Sequence, residues 1–277
     1  MSTDQIKDVV DRTKAYYDGP ADEIYSAVYG DNLHLAIPPH EGASHQEAMQ
    51  HTNELMGEAV TLTPDTHVLD LGSGYGSTAR FLAKTYGCPV TCSNLSEREN
   101  EISQQRADEA GLGHLVKTEY GDFHDLSYPD NSFEVVWSQE AFLHGADKAK
   151  IMREAFRVAK PGGWFVFTDV TVKGGTPEAD RQRIYDRIKT SNMWDISDYE
   201  QGLANAGFTV TRVDDWSQYV APSYGAVVEK VKAQRDTLIA RTDEQTVDNT
   251  IGALTFWVDS AAKGNIGWAL FVARKPQ

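Results

Sequence analysis

The chain has 277 residues, enough for one large domain with a sizeable core or for two small domains. Its 41 acidic residues against 26 lysine and arginine residues give a formal net charge of −15. Nucleic acids and anionic membranes bind basic surfaces, so this charge argues against both as partners and favours a small-molecule substrate. The acidic surplus suits a protein kept soluble at high salt, or is simply a solvated acidic surface.

Neither a membrane segment nor a secretion signal is indicated by the sequence. It has no run of about 18 apolar residues, and its start, MSTDQIKDVVDR, lacks the charged and then apolar pattern of a signal peptide. We therefore expect a cytoplasmic protein. The two cysteines, Cys88 and Cys92, lie on a predicted strand at about 13 Å from each other, beyond the reach of a disulfide. The cysteines and histidines have no metal-ligand spacing, so no metal site is predicted.

Short apolar runs alternate with segments of helical periodicity along most of the chain. Seven runs predict strands at His67–Leu71, Pro89–Asn94, Leu115–Tyr120, Phe133–Ser138, Gly163–Val170, Phe208–Asp214 and Ile266–Ala273. Helices are predicted between the first six of them at Ser77–Tyr86, Glu97–Ala110, Lys148–Ala159 and Ser197–Ala206. This alternation indicates an α/β fold with a mostly parallel sheet of seven strands and helices on both faces.

Residues that begin and end secondary structure support these bounds. Gly87 and Gly111 are placed to end two of the helices, because glycine readily adopts the left-handed conformation found there. Ser96 is placed as an N-cap, with Glu99 at the capping-box position. Pro161–Gly163 predicts a turn into the following strand.

Two parts of the chain fall outside the alternation. Residues 1–60 are predicted as an N-terminal helical lid segment. Residues 215–265 are predicted as a helical cap, because apolar residues recur at helical spacing from Val227 to Ile239. Residues 61–214 then form the core domain, and residues 266–277 add its last strand.

The segment VLDLGSGYGSTARFLA places Gly72, Gly74 and Gly76 in the first strand-to-helix turn. In a parallel sheet the ligand binds beyond the carboxyl ends of the strands, and this turn is part of that crevice. Glycine permits a positive φ and close approach of a ligand, and the helix that follows offers free N–H groups to an anion. The spacing is G-x-G-x-G rather than G-x-G-x-x-G, which disfavours a nicotinamide dehydrogenase.

This segment resembles the first motif of S-adenosylmethionine-dependent methyltransferases with a Rossmann-like core, whose turn cradles the amino-acid part of the cofactor. The resemblance continues through GDF at Gly121–Phe123 and REAFRVAKPGGWFVFTD at Arg153–Asp169. It implies S-adenosyl-L-methionine as cofactor, with Asp122 accepting the adenine amino group. The cofactor-binding residues that it implies are Tyr17, Gly72, Gly74, Gly76, Asn94, Leu95, Asp122, Phe123, Ser138 and Gln139.

One cofactor position departs from the family pattern. The second strand commonly ends in an Asp or Glu that binds both ribose hydroxyls, whereas this chain has Asn94, at the expected distance after Gly72. An amide can donate and accept, but without a charge we expect a weaker contact. The other interpretation is that Asn94 only shapes the turn into Ser96.

Longer runs resemble a narrower group of enzymes. NLSERENE at 94–101, WSQEAFLH at 137–144, YYDGPADEIYSAVYGDNLHLA at 16–36 and the run KGNIGWALFVARK are similar to sarcosine/dimethylglycine methyltransferases, which make glycine betaine. The resemblance implies N-methylation of a small glycine derivative. Two segments depart from it: Thr168–Val172, where the family commonly has Thr-Asp-Pro-Met in a loop that faces the acceptor, and Pro38–Gln46. Another small nucleophile, such as a different amine, a thioether sulfur or a carbon acid, stays open.

The acceptor amine must lose its proton before it can attack. An amine with a pKa of about 10 is mostly protonated at neutral pH, so the site must desolvate it or supply a base. His34, His144 and Glu140 are the candidate bases, with a structural role as the alternative for each histidine. Tyr25 and Tyr29 are the aromatic candidates, because aromatic faces attract cations by about 0.5–2 kcal/mol each. The family resemblance favours His34 and these two tyrosines.

The carboxylate of a glycine derivative also needs a partner. Arg98 and Arg187 are candidates, although arginines on helices are usually solvated. A binding module without catalysis is a rival interpretation, and cofactor binding without turnover would support it. The oligomeric state is open, and a homo-oligomer is compatible with the sequence.

Overall fold

The computed structural model describes residues 3–17, 28, 34–190 and 192–277. The strands are β1 (Val68–Leu71), β2 (Val90–Asn94), β3 (Val116–Tyr120), β4 (Phe133–Gln139), β5 (Ala159–Val172), β6 (Thr209–Asp215) and β7 (Ile266–Arg274). They form one sheet in the order β3-β2-β1-β4-β5-β7-β6. The predicted seven-stranded sheet is confirmed.

Helices lie before β1 and in every connection between consecutive strands except that from β3 to β4. Those in the described ranges are α1 (Thr3–Tyr17), α2 (His45–Gly57), α3 (Ser77–Tyr86), α4 (Glu97–Glu109), α5 (Lys148–Val158), α6 (Glu178–Ile188), α7 (Ile196–Ala206), α8 (Val220–Ala233), α9 (Arg235–Arg241) and α10 (Glu244–Ala262). Short 3-10 helices cover Phe142–His144 and Ser217–Tyr219. In the part of the chain that the model describes, no helix is long and apolar enough to cross a membrane.

The strand order reverses at β1, and this reversal creates the crevice. β1 pairs in parallel with both β2 and β4, while β3 and β5 extend the sheet on either side, also in parallel. β7 runs antiparallel between β5 and β6. Connections from the carboxyl ends of β1 and β4 leave on opposite sides of the reversal, so a ligand-binding crevice opens there.

The two faces of the sheet carry separate apolar clusters. Val68 belongs to one cluster and the next residue, Leu69, to the other. β4 shows the same alternation with Trp137 and Val136. Helix α3 contributes to the first cluster and α5 to the second, so both faces are covered, as parallel sheets require.

Helix ends follow the residues that predicted them. Gly87 ends α3 with a φ of 71°, and its N–H donates to Ala83 O. The Ser96 hydroxyl accepts from the Glu99 N–H at 3.2 Å and begins α4. Both ends are set within a few residues of sequence, which is why they could be predicted.

Strand β5 is longer than predicted at both ends. The predicted Pro161–Gly163 turn lies within the strand, where its register with β4 shifts. At the other end Thr171 pairs with Gly267 and Val172 with Ile266. The strand predicted to end at Val170 therefore continues through Thr171 and Val172, so Thr168–Val172 is not a loop, because antiparallel pairing with β7 continues to its end.

The cap predicted at residues 215–265 contains α8, α9 and α10. Val227 and Trp257 of these helices belong to the same buried cluster as Val68 in β1. The cap therefore shares its apolar core with one face of the sheet.

The described part of the predicted lid segment contains α1 and α2. Ile6 and Val9 of α1 pack against Ala146. The segment before α2 is bonded to the cap, since the Ala36 N–H donates to the Ser223 hydroxyl at 3.1 Å. These contacts place α1 beside the segment that follows β4 and Ala36 beside the cap.

Candidate active site

A cavity lies at the carboxyl ends of β1, β2 and β4, where the strand order reverses. Its lining comes from α1, from His34, and from residues within three segments: 70–78, 93–99 and 139–144. Gly121 and Phe123, after β3, complete the described lining. One cavity thus collects residues from distant parts of the chain.

The cavity brings together most of the predicted site residues that the model describes. Those that line it are His34, Gly72, Gly74, Asn94, Leu95, Phe123, Gln139, Glu140 and His144. Gly76, Asp122 and Ser138 are not among its lining residues. Tyr25, Tyr29 and the side chain of Tyr17 lie outside the described residues.

The three glycines of the turn all have a positive φ, at 70°, 51° and 69° for Gly72, Gly74 and Gly76. A Cβ on Gly72 would lie 2.4 Å from the Cβ of Ala141, and a Cβ on Gly76 would lie 2.0 Å from the Ser103 hydroxyl. Gly76 therefore faces helix α4 rather than the cavity. The positive φ explains why all three positions are glycine. At Gly76 a side chain is also excluded by packing against α4 rather than by a ligand.

Asp70 brings a buried carboxyl group to the cavity just before the glycine turn. Asp70 is 3% exposed, and in the part of the chain that the structure describes its Oδ2 has no hydrogen-bond partner. Burial raises the pKa of Asp70 to about 7. A cationic ligand group would compensate this carboxylate, so the site fits an ammonium. The sequence signal was an acidic residue inside an apolar strand.

A carboxylate also lies at the end of β2, where the strand itself has an amide. The Asn94 amide donates to Glu99 Oε2 at 2.7 Å, and both residues line the cavity. The sequence indicated only a capping role for Glu99. Glu99 lies in the first turn of α4, and its side chain points back to Asn94. The negative charge that Asn94 lacks is therefore supplied by Glu99.

Asp122 lies beside the cavity and is held by His124. Its Oδ1 accepts from the His124 N–H at 2.9 Å and lies 2.6 Å from His124 Nδ1. Burial would raise the pKa of Asp122, but the hydrogen bonds from His124 outweigh it and lower the pKa. The next residue, Phe123, lines the cavity and packs edge-on against Phe142.

Ser138 and Gln139 have different roles although they are neighbours. The buried Ser138 hydroxyl donates to Leu71 O at 2.7 Å, which joins β4 to β1 and explains why it does not line the cavity. Gln139 accepts from the Thr78 hydroxyl at 2.6 Å and donates to Asn53 at 3.0 Å. Its amide is thus fixed at the cavity wall between α3 and α2.

Glu140 joins three segments at the opposite end of the cavity. It is a non-glycine residue with a φ of 46°. Its carboxylate accepts from Leu35 N at 3.0 Å, from the Thr168 hydroxyl at 2.6 Å and from Trp268 Nε1 at 2.7 Å. Burial, opposed by these bonds, raises the pKa of Glu140 to about 7. Three donors already occupy the carboxylate, which favours an anchoring role over that of a base.

His34 presents an unpartnered nitrogen in the buried part of the site. Its Nδ1 lies 3.0 Å from Leu35 O, a group that can only accept, so Nδ1 carries the proton. Nε2 is then a lone-pair acceptor, and it is buried without a hydrogen-bond partner within residues 3–17, 28, 34–190 and 192–277. Burial lowers the pKa of His34 to about 4, despite the opposing bond to Leu35. The imidazole is therefore neutral at pH 7.

His144 lines the same cavity and is also neutral. Burial is the main cause that lowers its pKa to about 4, and the charges of Lys148 and Arg187 act in the same direction. A hydrogen bond with the Ile188 backbone opposes the shift. The cavity therefore contains two neutral imidazoles at pH 7.

The two candidate arginines differ in their surroundings. Arg98 is exposed on α4. The Arg187 guanidinium lies 4.3 Å from the ring centre of Trp257 and 5.1 Å from that of Tyr224. Arg187 does not line the cavity, but its charge reaches His144, which does.

Comparison with known proteins places this geometry in a family. A family model described as a methyltransferase domain matches residues 69–167. The sarcosine/dimethylglycine N-methyltransferase of Halorhodospira halochloris is 34% identical over 278 residues, which cover 99% of this chain and 100% of the relative. The glycine/sarcosine/dimethylglycine N-methyltransferase of Actinopolyspora halophila is 34% identical over 273 residues, or 98% of this chain and 48% of the relative. The chain thus spans about half the length of that second relative.

A solved structure supports the same grouping. The protein from Galdieria sulphuraria assigned as a sarcosine dimethylglycine methyltransferase superposes with a TM-score of 0.88 at 28% identity. The superposition covers 94% of this chain and 98% of that chain.

Proposed function

Because the chain belongs to the S-adenosylmethionine-dependent methyltransferases, in the family of the sarcosine/dimethylglycine N-methyltransferases, we propose that it methylates the amine of a small glycine derivative. Sarcosine and dimethylglycine are the proposed acceptors, and glycine betaine is the proposed end product. The observation that carries the proposal is the buried, neutral His34, which lines the same cavity as the glycine turn and whose Nε2 has no hydrogen-bond partner among the described residues.

The residues around the turn fit S-adenosyl-L-methionine. Asp70 suits the ammonium of its amino-acid part, because its buried Oδ2 has no partner among the residues that the structure describes. Asn94 and Glu99 suit the two ribose hydroxyls, with the charge coming from Glu99. Asp122 and Phe123 suit the adenine amino group and ring. When bound, S-adenosyl-L-methionine supplies the sulfonium methyl group that the amine takes up.

His34 is proposed to orient the acceptor. In sarcosine, Nε2 can accept the N–H of the neutral amine and so direct the nitrogen lone pair, whereas neutral dimethylglycine has no N–H and can only pack against the ring. Because burial lowers the pKa of His34 to about 4, the imidazole is too weak a base to take the proton of the ammonium form, so the acceptor binds as the free amine after losing that proton to solvent. His144 is neutral as well, so neither imidazole repels a cationic sulfonium or ammonium group.

Arg187 is proposed to bind the carboxylate of the acceptor. Its guanidinium is held on the Trp257 and Tyr224 rings, and its charge helps to lower the pKa of His144, which lines the cavity. A guanidinium can bind a carboxylate through two parallel hydrogen bonds. The Tyr25 and Tyr29 contacts with the acceptor ammonium stay predictions.

The test is release of S-adenosylhomocysteine with glycine, sarcosine, dimethylglycine and N,N-dimethylethanolamine as separate acceptors, at low and high salt. We expect turnover with sarcosine or dimethylglycine, and little with dimethylethanolamine, which has no carboxylate. If only dimethylethanolamine is methylated, or if none of the four acceptors is methylated while S-adenosylhomocysteine still binds, the protein is a methyltransferase of another acceptor.

A histidine pair provides the matched control for this assay. His34 and His40 both place Nδ1 about 3 Å from the carbonyl of the next residue, but His40 is exposed. We expect His34→Ala to lower kcat/KM for the acceptor at least about tenfold, and His40→Ala to leave it unchanged. Equal effects of the two substitutions would remove His34 from the proposed role.

We also propose a small-molecule substrate without a nucleic-acid or membrane partner, compatible with a homo-oligomer, and the cytoplasm as the compartment, with residues 1–60 as lid and 215–265 as cap. The acidic net charge of −15 supports the exclusion of nucleic acid and anionic lipid. Size-exclusion measurements would decide the oligomeric state.

A further inference from the structure

His124 is a buried histidine outside the cavity whose two ring nitrogens are both hydrogen-bonded. Its exposed fraction is 1%. Nδ1 lies 2.6 Å from Asp122 Oδ1, and Nε2 lies 3.1 Å from Ala146 N and 3.4 Å from Asp147 N. The ring therefore bridges the segment after β3 and the segment that leads into α5.

The partners of His124 fix its tautomer. Backbone N–H groups can only donate, so Nε2 must be the unprotonated acceptor for Ala146 and Asp147. In a neutral ring the proton is then on Nδ1, which donates to Asp122 Oδ1. The direction of each hydrogen bond in this bridge follows from that one constraint.

The bridge orients the Asp122 carboxylate. The last torsion of an aspartate side chain is broad and roughly two-fold, so a carboxylate without fixed donors samples many orientations. Here Oδ1 accepts twice from His124, from Nδ1 and from the main-chain N–H. With Oδ1 occupied, Oδ2 is the oxygen that can accept from a ligand.

We infer that His124 is a positioning residue that holds Asp122 so that the site selects a 6-amino purine over a 6-oxo purine. The inference rests on the proposed binding of the adenine amino group by Asp122. A fixed carboxylate oxygen accepts from an amino group, whereas it faces the lone pairs of a 6-oxo group and repels them.

The bridge also connects Asp122 to the segment that follows His144. Ala146 and Asp147 follow His144 closely in the chain, and Asp147 caps α5 by accepting from Lys150 N at 2.9 Å. The Ala146 and Asp147 N–H groups hold His124, which in turn holds Asp122. Asp122 is therefore held by the same segment that carries His144. His124 is thus held at both ring nitrogens, unlike a histidine that is hydrogen-bonded at one nitrogen only.

Two substitutions of His124 test the roles of Nδ1 and Nε2 separately. His124→Asn places an amide nitrogen near the position of Nδ1, so it keeps a donor to Asp122. His124→Gln places an amide oxygen near the position of Nε2, so it keeps the acceptor for Ala146 but loses the donor. The measured quantity is the ratio of the Kd values for S-inosylhomocysteine and S-adenosylhomocysteine, determined by calorimetry on the full chain.

We expect His124→Gln to reduce this ratio about tenfold, and His124→Asn to keep it within about twofold of the wild type. In steady-state assays the loss in His124→Gln falls on the KM for the cofactor rather than on kcat. If both variants lose the ratio equally, His124 has only a structural role and the inference is wrong. If His124→Gln does not fold, retention of the ratio in His124→Asn supports the inference and its loss overturns it.

A third variant separates this inference from the assignment on which it rests. Asp122→Ala should remove the discrimination altogether. If Asp122→Ala keeps it, the adenine assignment fails, and the inference falls with it. If Asp122→Ala loses it and His124→Gln keeps it, only the His124 inference fails. Neither result depends on the identity of the methyl acceptor.

Discussion

Asp70 couples ligand binding to a proton. Burial raises its pKa to about 7, so near pH 7 the protein without ligand contains protonated and ionised forms in similar amounts. A cationic group in the cavity favours the ionised form, because it compensates the charge of the unpartnered Oδ2. Binding of an ammonium near Asp70 therefore releases a proton.

This coupling predicts a pH dependence of cofactor affinity. Protonation of Asp70 competes with binding, so the affinity for S-adenosylhomocysteine should fall about tenfold for each pH unit below 7 and level off above 8. Titration calorimetry across this range, in buffers with different ionisation enthalpies, measures both affinity and proton release. In Asp70→Asn the pH dependence should flatten. A flat profile in the wild type would place the ammonium elsewhere.

Arg187 and Arg183 allow a matched test on one helix. Both lie over aromatic rings, with Arg183 3.9 Å from the ring centre of Phe256 and Arg187 4.3 Å from that of Trp257. If Arg187 binds the acceptor carboxylate, Arg187→Met should raise the KM for dimethylglycine at least about tenfold without weakening S-adenosylhomocysteine binding. Arg183→Met should leave both unchanged. Equal changes in the two variants would show a loss of stacking rather than of a carboxylate contact.

At the level of elements, Glu140 joins the N-terminal segment to the sheet. One carboxylate accepts donors from Leu35, from β5 and from β7. Since His34 precedes Leu35, the position of His34 in the cavity depends on this junction. The junction is also the reason that a non-glycine residue is held at a positive φ.

Glu140→Gln tests this junction. The amide has a single accepting oxygen, and its NH₂ group would face another donor, so the Leu35 N–H should lose protection in hydrogen exchange. We expect a KM for the acceptor about tenfold higher, with a smaller change in cofactor affinity. Glu134→Gln is the control, because Glu134 accepts from His67 N at 3.0 Å at the other end of β4. Unchanged exchange at Leu35 would contradict the anchoring role.

Local rules made much of the fold and part of the site predictable. Helix α3 matches its predicted bounds because Gly87 and the apolar periodicity are encoded nearby. The length of β5 was not predictable, since its final pairs are made with Ile266 and Gly267, far along the chain. Glu99 was identified as a capping residue, but its contact with Asn94 depends on how α4 leaves the strand. Contacts between distant segments set what the sequence could not show.

At the scale of the whole molecule, the net charge of −15 predicts a salt effect on stability. Like charges repel most in the compact state, and salt screens this repulsion as the Debye length falls from about 30 Å at 0.01 M to about 8 Å at 0.15 M. The urea midpoint should therefore rise with KCl concentration. Changing the exposed Glu101, Glu200 and Asp259 to their amides should reduce the slope. A midpoint that falls with salt would indicate that attractive ion pairs dominate.

The place of β7 in the sheet has a consequence for how the chain folds during synthesis. β7 fills the space between β5 and β6, although it is encoded after all the other strands. Before β7 is available, a nascent chain can assemble the parallel part of the sheet, β3-β2-β1-β4-β5. In this state β6 has no strand to pair with, and one edge of β5 is unpaired. An open edge of this kind can pair with another chain. Emergence of Ile266–Arg274 from the ribosome therefore closes the edge, and a pause in translation before this strand prolongs the period in which the nascent chain can aggregate.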